Sequence, residues 1–469
     1  MTGPKHSCGV VGIYATSNVV SLLHKALCVI QHRGQESAGI SVFDGKSIHT
    51  VKDNGLVTIA LNEHNLANLD GLCGLGHVRY STTGSKAAIN AQPLTVETTM
   101  GTVAVAHNGD ITNFKVLKEK YLSAGWSFLT DSDSEMIARL LAKHMVQNND
   151  PIKAIRSMMA ELDGAYSLTI MVNDRVYGVR DPYGFRPLCI GQIDGGYILV
   201  SESAAIDTLK GRLIRDVAPG EIVEITADNY VSYPFKGISP KAHCMFEWIY
   251  FARPESVIDE REVYDVRKKI GMILAREAPA DVDIIMPVPD SGRAHALGYS
   301  MGSGIQYEEG FMKNRFVERT FIMPDQRQRE KAVAMKMNPI KSTVNGRRVL
   351  IVDDSIVRGT TLRKLIGMLR SAGAKEVHVR IGCPPVIAPC YYGVDMKTRD
   401  QFIANFHTVD EICEIIGADS LAYISIPGLV EALGFPENDL CLACVNGKYP
   451  TLIQGETHRF QSTFRNDFQ

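Results

Sequence analysis

The stretch Val349–Thr361, V-L-I-V-D-D-S-I-V-R-G-T-T, decides the fold of the half of the chain that contains it. Four apolar residues make a buried strand. Two adjacent carboxylates, Asp353 and Asp354, stand at its carboxyl end, where open α/β sheets bind ligands. A loop of small hydroxyl residues and one glycine follows (Ser355, Gly359, Thr360, Thr361) and opens an amphipathic helix from about Leu362 to Ser371, closed by Gly373. N–H and O–H groups that converge on a helix N-terminus suit a phosphate. Carboxylates just before them suit ribose hydroxyls or Mg²⁺. Together they describe a grip on a ribose 5-phosphate. The G-x-x-x-x-G-K-[ST] order of a Walker loop is missing. A buried strand running into an ordinary capped helix would explain the acids singly, but not the whole string.

The pattern around this stretch is strand–helix alternation from about Ala242 onward, the signature of a parallel sheet. Ile284–Val288 is a second apolar strand, followed by P-D-S-G-R (Pro289–Arg293) and a helix-like A-H-A-L-G. A tight Asp-Ser-Gly turn at a strand end presents N–H groups and suits a pyrophosphate. Between the two motifs lies Arg319–Asn338, where Arg319, Arg327, Arg329, Lys331 and Lys336 outnumber Asp325 and Glu330. Such a run is usually a solvated loop. Beside a pyrophosphate it becomes a candidate lid that excludes water and supplies cations.

Before about residue 240 short β-type runs dominate: Cys8–Tyr14, Val103–Ala106, Ser167–Val172, Arg175–Val179 and Ile198–Val200. Helical patterns at Val19–Ile30 and Ser134–Val146 interrupt them. A chain of 469 residues is too long for one hydrophobic core, so two domains are expected. Hydrophobic content of 45% with 22% charged residues is ordinary for a globular protein. No apolar run reaches about 18 residues, so no membrane span is expected. The start, M-T-G-P-K-H-S, lacks the apolar region of a secretory signal. A net charge of −2 argues against a nucleic-acid surface. Ten cysteines without a secretory signal imply reduced thiols, metal ligands or a nucleophile, and a cytoplasmic setting.

Cys8 opens an alternating strand, and a lone cysteine there is usually core. C-L-A-C at Cys441–Cys444 could be half a zinc site, a redox pair or chance, and no second C-x-x-C favours zinc. Cys28, Cys73, Cys189 and Cys413 suit buried apolar positions.

The opening stretch resembles, nearly residue for residue, the 5-phosphoribosyl 1-diphosphate (PRPP) motif of type I phosphoribosyltransferases. Five front-half segments resemble, in order, the glutaminase domain of N-terminal-nucleophile amidotransferases: H-R-G-Q-E-S (His32–Ser37), G-H-V-R-Y-S-T-T-G (Gly76–Gly84), H-N-G-D-I (His107–Ile111), S-D-S-E (Ser132–Glu135) and R-D-P-Y-G-F-R-P-L (Arg180–Leu188). From Cys8 to about Pro450 the chain is similar to the glutamine PRPP amidotransferases, in their leader-peptide-bearing iron–sulfur form. The resemblance implies a propeptide at 1–7, an α+β glutaminase domain layered αββα at 8–240, and an α/β phosphoribosyltransferase domain with a cluster-binding C-terminal segment at 241–469. It implies glutamine hydrolysis at Cys8 and ammonia transfer to C1 of PRPP, the first committed step of purine synthesis.

The same resemblance assigns roles. Cys8 is the nucleophile, and Asn108 and Gly109 form the oxyanion hole. Arg79 holds the glutamine α-carboxylate and Asp133 the α-ammonium. Asp290, Ser291, Gly292, Asp353, Asp354, Ser355, Arg358, Gly359, Thr360 and Thr361 bind PRPP, with Ser291, Asp353 and Asp354 on Mg²⁺. Cys244, Cys390, Cys441 and Cys444 carry a [4Fe–4S] cluster of structural role, Cys383 being a rival for the second place. Feedback by purine nucleotides and a homotetramer are further implications. The chain departs from the family at N-R-F-V-E-R-T-F, where Phe316 and Glu318 replace tyrosine and glycine just before the lid. Two other classes stay open. An amidotransferase for another sugar phosphate would share the front half, and a non-catalytic PRPP sensor would share the back half.

Overall fold

The computed structural model describes residues 8–80, 88–237, 240–314, 337–453 and 456–458. Leader residues 1–7, the end of the Gly76–Gly84 motif, Phe316, Glu318 and the lid up to residue 336 lie outside the described residues.

The front half is two antiparallel sheets face to face. One has seven strands, in the order Arg212–Asp216, Cys189–Ile193, Gly196–Val200, Gly9–Ala15, Cys73–Arg79, Ser37–Phe43 and Ile48–Asn54. The other has six, in the order Tyr230–Tyr233, Ile222–Ile225, Arg175–Arg180, Gly164–Val172, Gly101–Ile111 and Leu94–Thr98. Val10, Leu75, Ala104, Met171 and Leu199 pack between them. The helix Val20–Val29 covers the outer face of the first sheet through Leu23 and Leu27. Asp133–Asn148 and Pro151–Glu161 cover the second through residues such as Ile137, Leu141 and Ile155. Both helices start where their sequence directs. Ser132 accepts the Ser134 N–H at 3.3 Å, and Asp150 accepts from Ile152 and Lys153 just before Pro151. The expected helix–sheet–sheet–helix layering is present.

The back half is a parallel sheet of four strands, Ile284–Pro287, Arg348–Asp353, Glu376–Ile381 and Ser420–Tyr423, in that spatial order. Val349 to Val352 are fully buried, so the strand carries no polar alternation, as a sheet covered on both faces requires. The expected helix begins two residues early, at Thr360. Its first turn is set by Gly359 at φ +71°, a conformation that glycine adopts without strain. Among the described residues, no helix is long and apolar enough to cross a membrane.

A short parallel pair, His243–Cys244 with Leu440–Cys441, ties the far C-terminal region to the chain that leaves the front half. Buried charges lock the halves together. Arg180 of the front sheet donates to both carboxylate oxygens of Asp259, at 2.9 and 3.0 Å. Arg33 and Arg186 both hold Glu247.

Candidate active sites

Cys8 directly precedes the central strand of the first sheet, and Gly9 pairs with Val78, next to Arg79. Its thiol is 7% exposed and donates to the Tyr80 carbonyl at 3.4 Å. Burial pushes the thiol above its ordinary pKa, opposed by that hydrogen bond and by the Arg79 charge. Its carbonyl accepts from Arg33 Nε at 3.0 Å, so the backbone of the candidate nucleophile is held by a buried guanidinium.

Asp133 begins its helix and accepts the Ile111 N–H at 3.0 Å, which fixes it beside the strand that carries Asn108 and Gly109. Burial raises its carboxyl, against the Ile111 bond and the Lys397 charge. Asn108 is fully buried, and neither atom of its amide has a hydrogen-bond partner among the described residues. Such an amide is costly unless a ligand completes it. At Gly109 a Cβ would stand 1.9 Å from the Ala165 carbonyl oxygen, so only glycine fits. Behind them His107 Nδ1 meets Ser134 Oγ at 3.1 Å, and Gln92 bonds both the His107 N–H and Ser134. Burial lowers His107 to about 4, so the ring is neutral and serves as scaffold.

The second site lies across the carboxyl ends of Ile284–Pro287 and Arg348–Asp353, as the sheet rule requires. Ser291, Asp353, Asp354, Ser355, Gly359 and Thr361 line one cleft of about 530 Å³, open mouth included. Asp353 accepts the Asp354 N–H at 2.9 Å, and Ser355 Oγ donates to Asp354 at 2.5 Å. Burial, then the neighbouring carboxylate, raises Asp353 far above the usual range. Asp354 is raised by burial too, against Ser291, Ser355 and Arg267. Two adjacent buried carboxyls with hydroxyls beside them are a hard-oxygen donor set that suits Mg²⁺, which commonly takes one or two carboxylates and completes its shell from phosphate and water. Other expected residues stand outside this lining. Gly292 starts its helix, Thr360 is exposed, and Arg358 points to Gln401 at 2.9 Å. The Asp290 carboxylate is taken up by Lys313 and by Arg293. Of the lid segment, Met337 lines the cleft.

Cys244, Cys390, Cys441 and Cys444 line a single small cavity between the halves, beside Phe185 and Tyr392. Cys383 is fully buried but does not line it. All ten cysteines are free thiols. Burial raises each of the four, Cys244 to about 11, and neighbouring thiols add to the rise at Cys244, Cys441 and Cys444. Among the described residues, no three His, Cys, Asp or Glu side chains are placed to hold a metal ion.

Arg33 and Arg186 stand in two of the quoted motifs, but what they and Glu247 contact only the structure reveals. Arg33, Arg186 and Glu247, with side chains at most 2% exposed, run from the Cys8 carbonyl to the four-cysteine cavity. Glu247 bonds Arg33 at 2.8 and 3.0 Å and Arg186 at 3.0 Å, and Arg186 reaches Cys244 Sγ at 3.8 Å. The available signal was the charge of Arg33 and Arg186 inside H-R-G-Q-E-S and R-D-P-Y-G-F-R-P-L, and burial leaves none.

Fold and sites together define a glutamine amidotransferase joined to a phosphoribosyltransferase. Family models agree: a glutamine amidotransferase domain matches residues 77–208, and a phosphoribosyl transferase domain matches residues 267–383. The amidophosphoribosyltransferase of Methanocaldococcus jannaschii is 50% identical, covering 96% of this chain and 98% of its own. That of Archaeoglobus fulgidus is 49% identical over 96% and 99%. The solved glutamine PRPP amidotransferase from B. subtilis, complexed with ADP and GMP, superposes with a TM-score of 0.89 at 40% identity, covering 96% of this chain and 99% of that one. The chain belongs to the amidophosphoribosyltransferase family.

Proposed function

We propose that the chain converts glutamine, PRPP and water to 5-phosphoribosylamine, diphosphate and glutamate, opening purine synthesis, with the residues named above in the following roles. Removal of Met1–Ser7 frees the Cys8 α-amine, which takes the thiol proton because the two pKa values are close. The thiolate attacks the glutamine side-chain amide. The Asn108 amide and the Gly109 N–H receive the oxyanion, and one such donor contributes roughly 3 kcal/mol in the transition state. Ammonia leaves and water hydrolyses the thioester. Arg79 and Asp133 hold the two charged α-groups of glutamine.

At the second site the Gly359–Thr361 helix start binds the 5-phosphate, Asp353 and Asp354 the ribose, and Asp290–Gly292 the diphosphate. Ammonia attacks C1 as the C1–O bond breaks. Mg²⁺ on Ser291, Asp353 and Asp354 would supply charge neutralisation for the diphosphate. A [4Fe–4S] cluster on Cys244, Cys390, Cys441 and Cys444 would supply a cross-link between distant segments, since neither half-reaction moves electrons. Its ligand choice is supported by the shared cavity, from whose lining Cys383 is missing. Ten free thiols suit a reducing cytoplasm. The B. subtilis relative with ADP and GMP supports purine nucleotides as inhibitors. A homotetramer completes the proposal.

The observation that carries this reading is the presence of both sites in one chain: the buried, unpartnered Asn108 amide near Asp133, and the carboxylate cleft of Asp353 and Asp354. The test is glutamate release from glutamine with and without PRPP and Mg²⁺, with diphosphate measured in parallel. Stoichiometric, PRPP-stimulated release of both products is expected. PRPP binding without glutamate release would leave a sensor instead.

A further inference from the structure

The loop that carries Cys390 comes from the back half, yet it ends against the candidate oxyanion strand of the front half. It is tied into a closed turn, because the Cys390 N–H donates to the Met396 carbonyl at 2.8 Å. Tyr392, 2% exposed, stacks on Phe185 with ring centroids 4.1 Å apart, and its hydroxyl meets Thr451 Oγ1 at 2.9 Å. Its carbonyl accepts from Arg186 Nε at 2.8 Å. The next residue, Gly393, has φ +98°. A Cβ there would stand 3.0 Å from both Cα and C of Gly109, and 3.2 Å from Arg186 Nη2. Four residues on, Lys397 Nζ lies 3.4 Å from the Asp110 carboxylate, the residue after Gly109. The Gly109 backbone is therefore enclosed by Ala165 on its own sheet and by Gly393 of the other half.

We infer that the turn Tyr391–Lys397 of the phosphoribosyltransferase half is a positioning element for the glutaminase oxyanion hole, through backbone contact of Gly393 with Gly109 and the Lys397–Asp110 pair. The inference rests on the oxyanion role proposed for Asn108 and Gly109. Oxyanion stabilisation depends on donor placement within a fraction of an ångström. A glycine against a glycine gives the closest backbone approach two segments can make, and neither backbone can turn aside as a side chain would. The glutaminase site is thus finished by a residue more than 280 positions away, and the half that consumes ammonia helps set the geometry of the half that makes it.

The test uses the full-length protein. Gly393→Ala forces a methyl onto Gly109, and Lys397→Met removes the ion pair while keeping the stem. Gly393→Ala is expected to lower kcat for glutamine by at least about tenfold, and Lys397→Met by about threefold, as partial displacement of one oxyanion donor predicts. KM for glutamine in Gly393→Ala, and in both variants ammonia-dependent synthesis, iron content and the rate of Cys8 alkylation by iodoacetamide, are expected to stay within twofold of the parent. These readouts separate a misplaced oxyanion hole from a damaged nucleophile or a loosened fold. Unchanged glutamine kcat in Gly393→Ala, or a parallel fall in ammonia-dependent synthesis and Cys8 alkylation, overturns the inference. Asn108→Ala is run beside it. If Asn108→Ala leaves glutamine kcat intact, the oxyanion reading itself fails. If it lowers kcat while Gly393→Ala does not, only the positioning role fails.

Discussion

Glu247→Gln isolates the energetics of the junction. The substitution keeps volume and removes one buried charge. Glu247 receives two hydrogen bonds from Arg33, at 2.8 and 3.0 Å, and one from Arg186 at 3.0 Å, with side-chain exposures of 2%, 0% and 0%. At 3 Å and an effective dielectric constant of 20, each charge pair attracts by about 5 kcal/mol, most of it offset by desolvation. What survives in the mutant is the cost of leaving a guanidinium buried. Arg33 keeps Glu202 at 2.5 Å, but Arg186 loses its carboxylate. Breaking a buried pair on one side costs about 3–5 kcal/mol. Trp248, adjacent in sequence and 1% exposed, reports the junction by fluorescence once Trp126, the second of two tryptophans, is changed to phenylalanine. With a urea slope of roughly 3 kcal/mol/M, the Trp248 unfolding midpoint is expected to fall by about 1 M or more. In an Arg186→Met background the same change should cost at least about 1 kcal/mol less, because the stranded charge is gone. A loss below about 1 kcal/mol at unchanged slope, or strict additivity with Arg186→Met, refutes the account of a charge network holding the halves together.

Other predictions follow from the same geometry. Cys8→Ala should abolish glutamine-dependent synthesis and spare the ammonia-dependent reaction, assayed by diphosphate release; loss of both would count against two separate sites. Asp353→Asn and Asp354→Asn should each raise KM for PRPP at least about tenfold while basal glutamine hydrolysis stays within twofold, and calorimetric PRPP affinity unchanged in both would remove these acids from the site. Cys390→Ser should lose iron and thermal stability while Cys383→Ser retains iron; the opposite pattern would exchange the ligands, and stoichiometric zinc in the parent protein would replace the cluster. Glu202 supplies the pH test: burial alone would raise its carboxyl, but His32 and Arg33 hold it well below the usual range. A depressed folded pKa gives stability that is present above the unfolded value, about 4.3, and lost as pH falls through the folded one. The Trp248 midpoint gap between parent and Glu202→Gln should therefore shrink below about pH 4, and a gap that instead widens there would contradict the assignment.

The sequence by itself determined the two chemistries and their order. Local rules carried the back-half reading, and the resemblance of five motifs carried the front-half one. The strand Val349–Val352 is uniformly apolar because a parallel sheet is buried on both faces, and the residues proposed to meet a phosphate follow it directly in the chain. Asn108, Gly109 and Asp133 were singled out only through the resemblance of H-N-G-D-I and S-D-S-E to a known family. The start of the helix after Gly359 was misplaced by two residues because the left-handed glycine, not the first apolar residue, sets the turn. What only the tertiary structure decided is every contact between distant segments. Composition shows that Arg33, Arg186 and Glu247 are charged, but not that all three are buried against one another. Their burial is tolerable only because the fold brings opposite charges within 3.0 Å. Spacing could not separate Cys390 from Cys383, since both lie past the strand Glu376–Ile381. Only the fold shows that chain reversal after Cys383 brings Cys390, and not Cys383, into the pocket lined by Cys244, Cys441 and Cys444. The approach of Gly393 to Gly109 has no local signal at all. A glycine in a turn looks the same whether it faces solvent or another backbone, and only packing tells which.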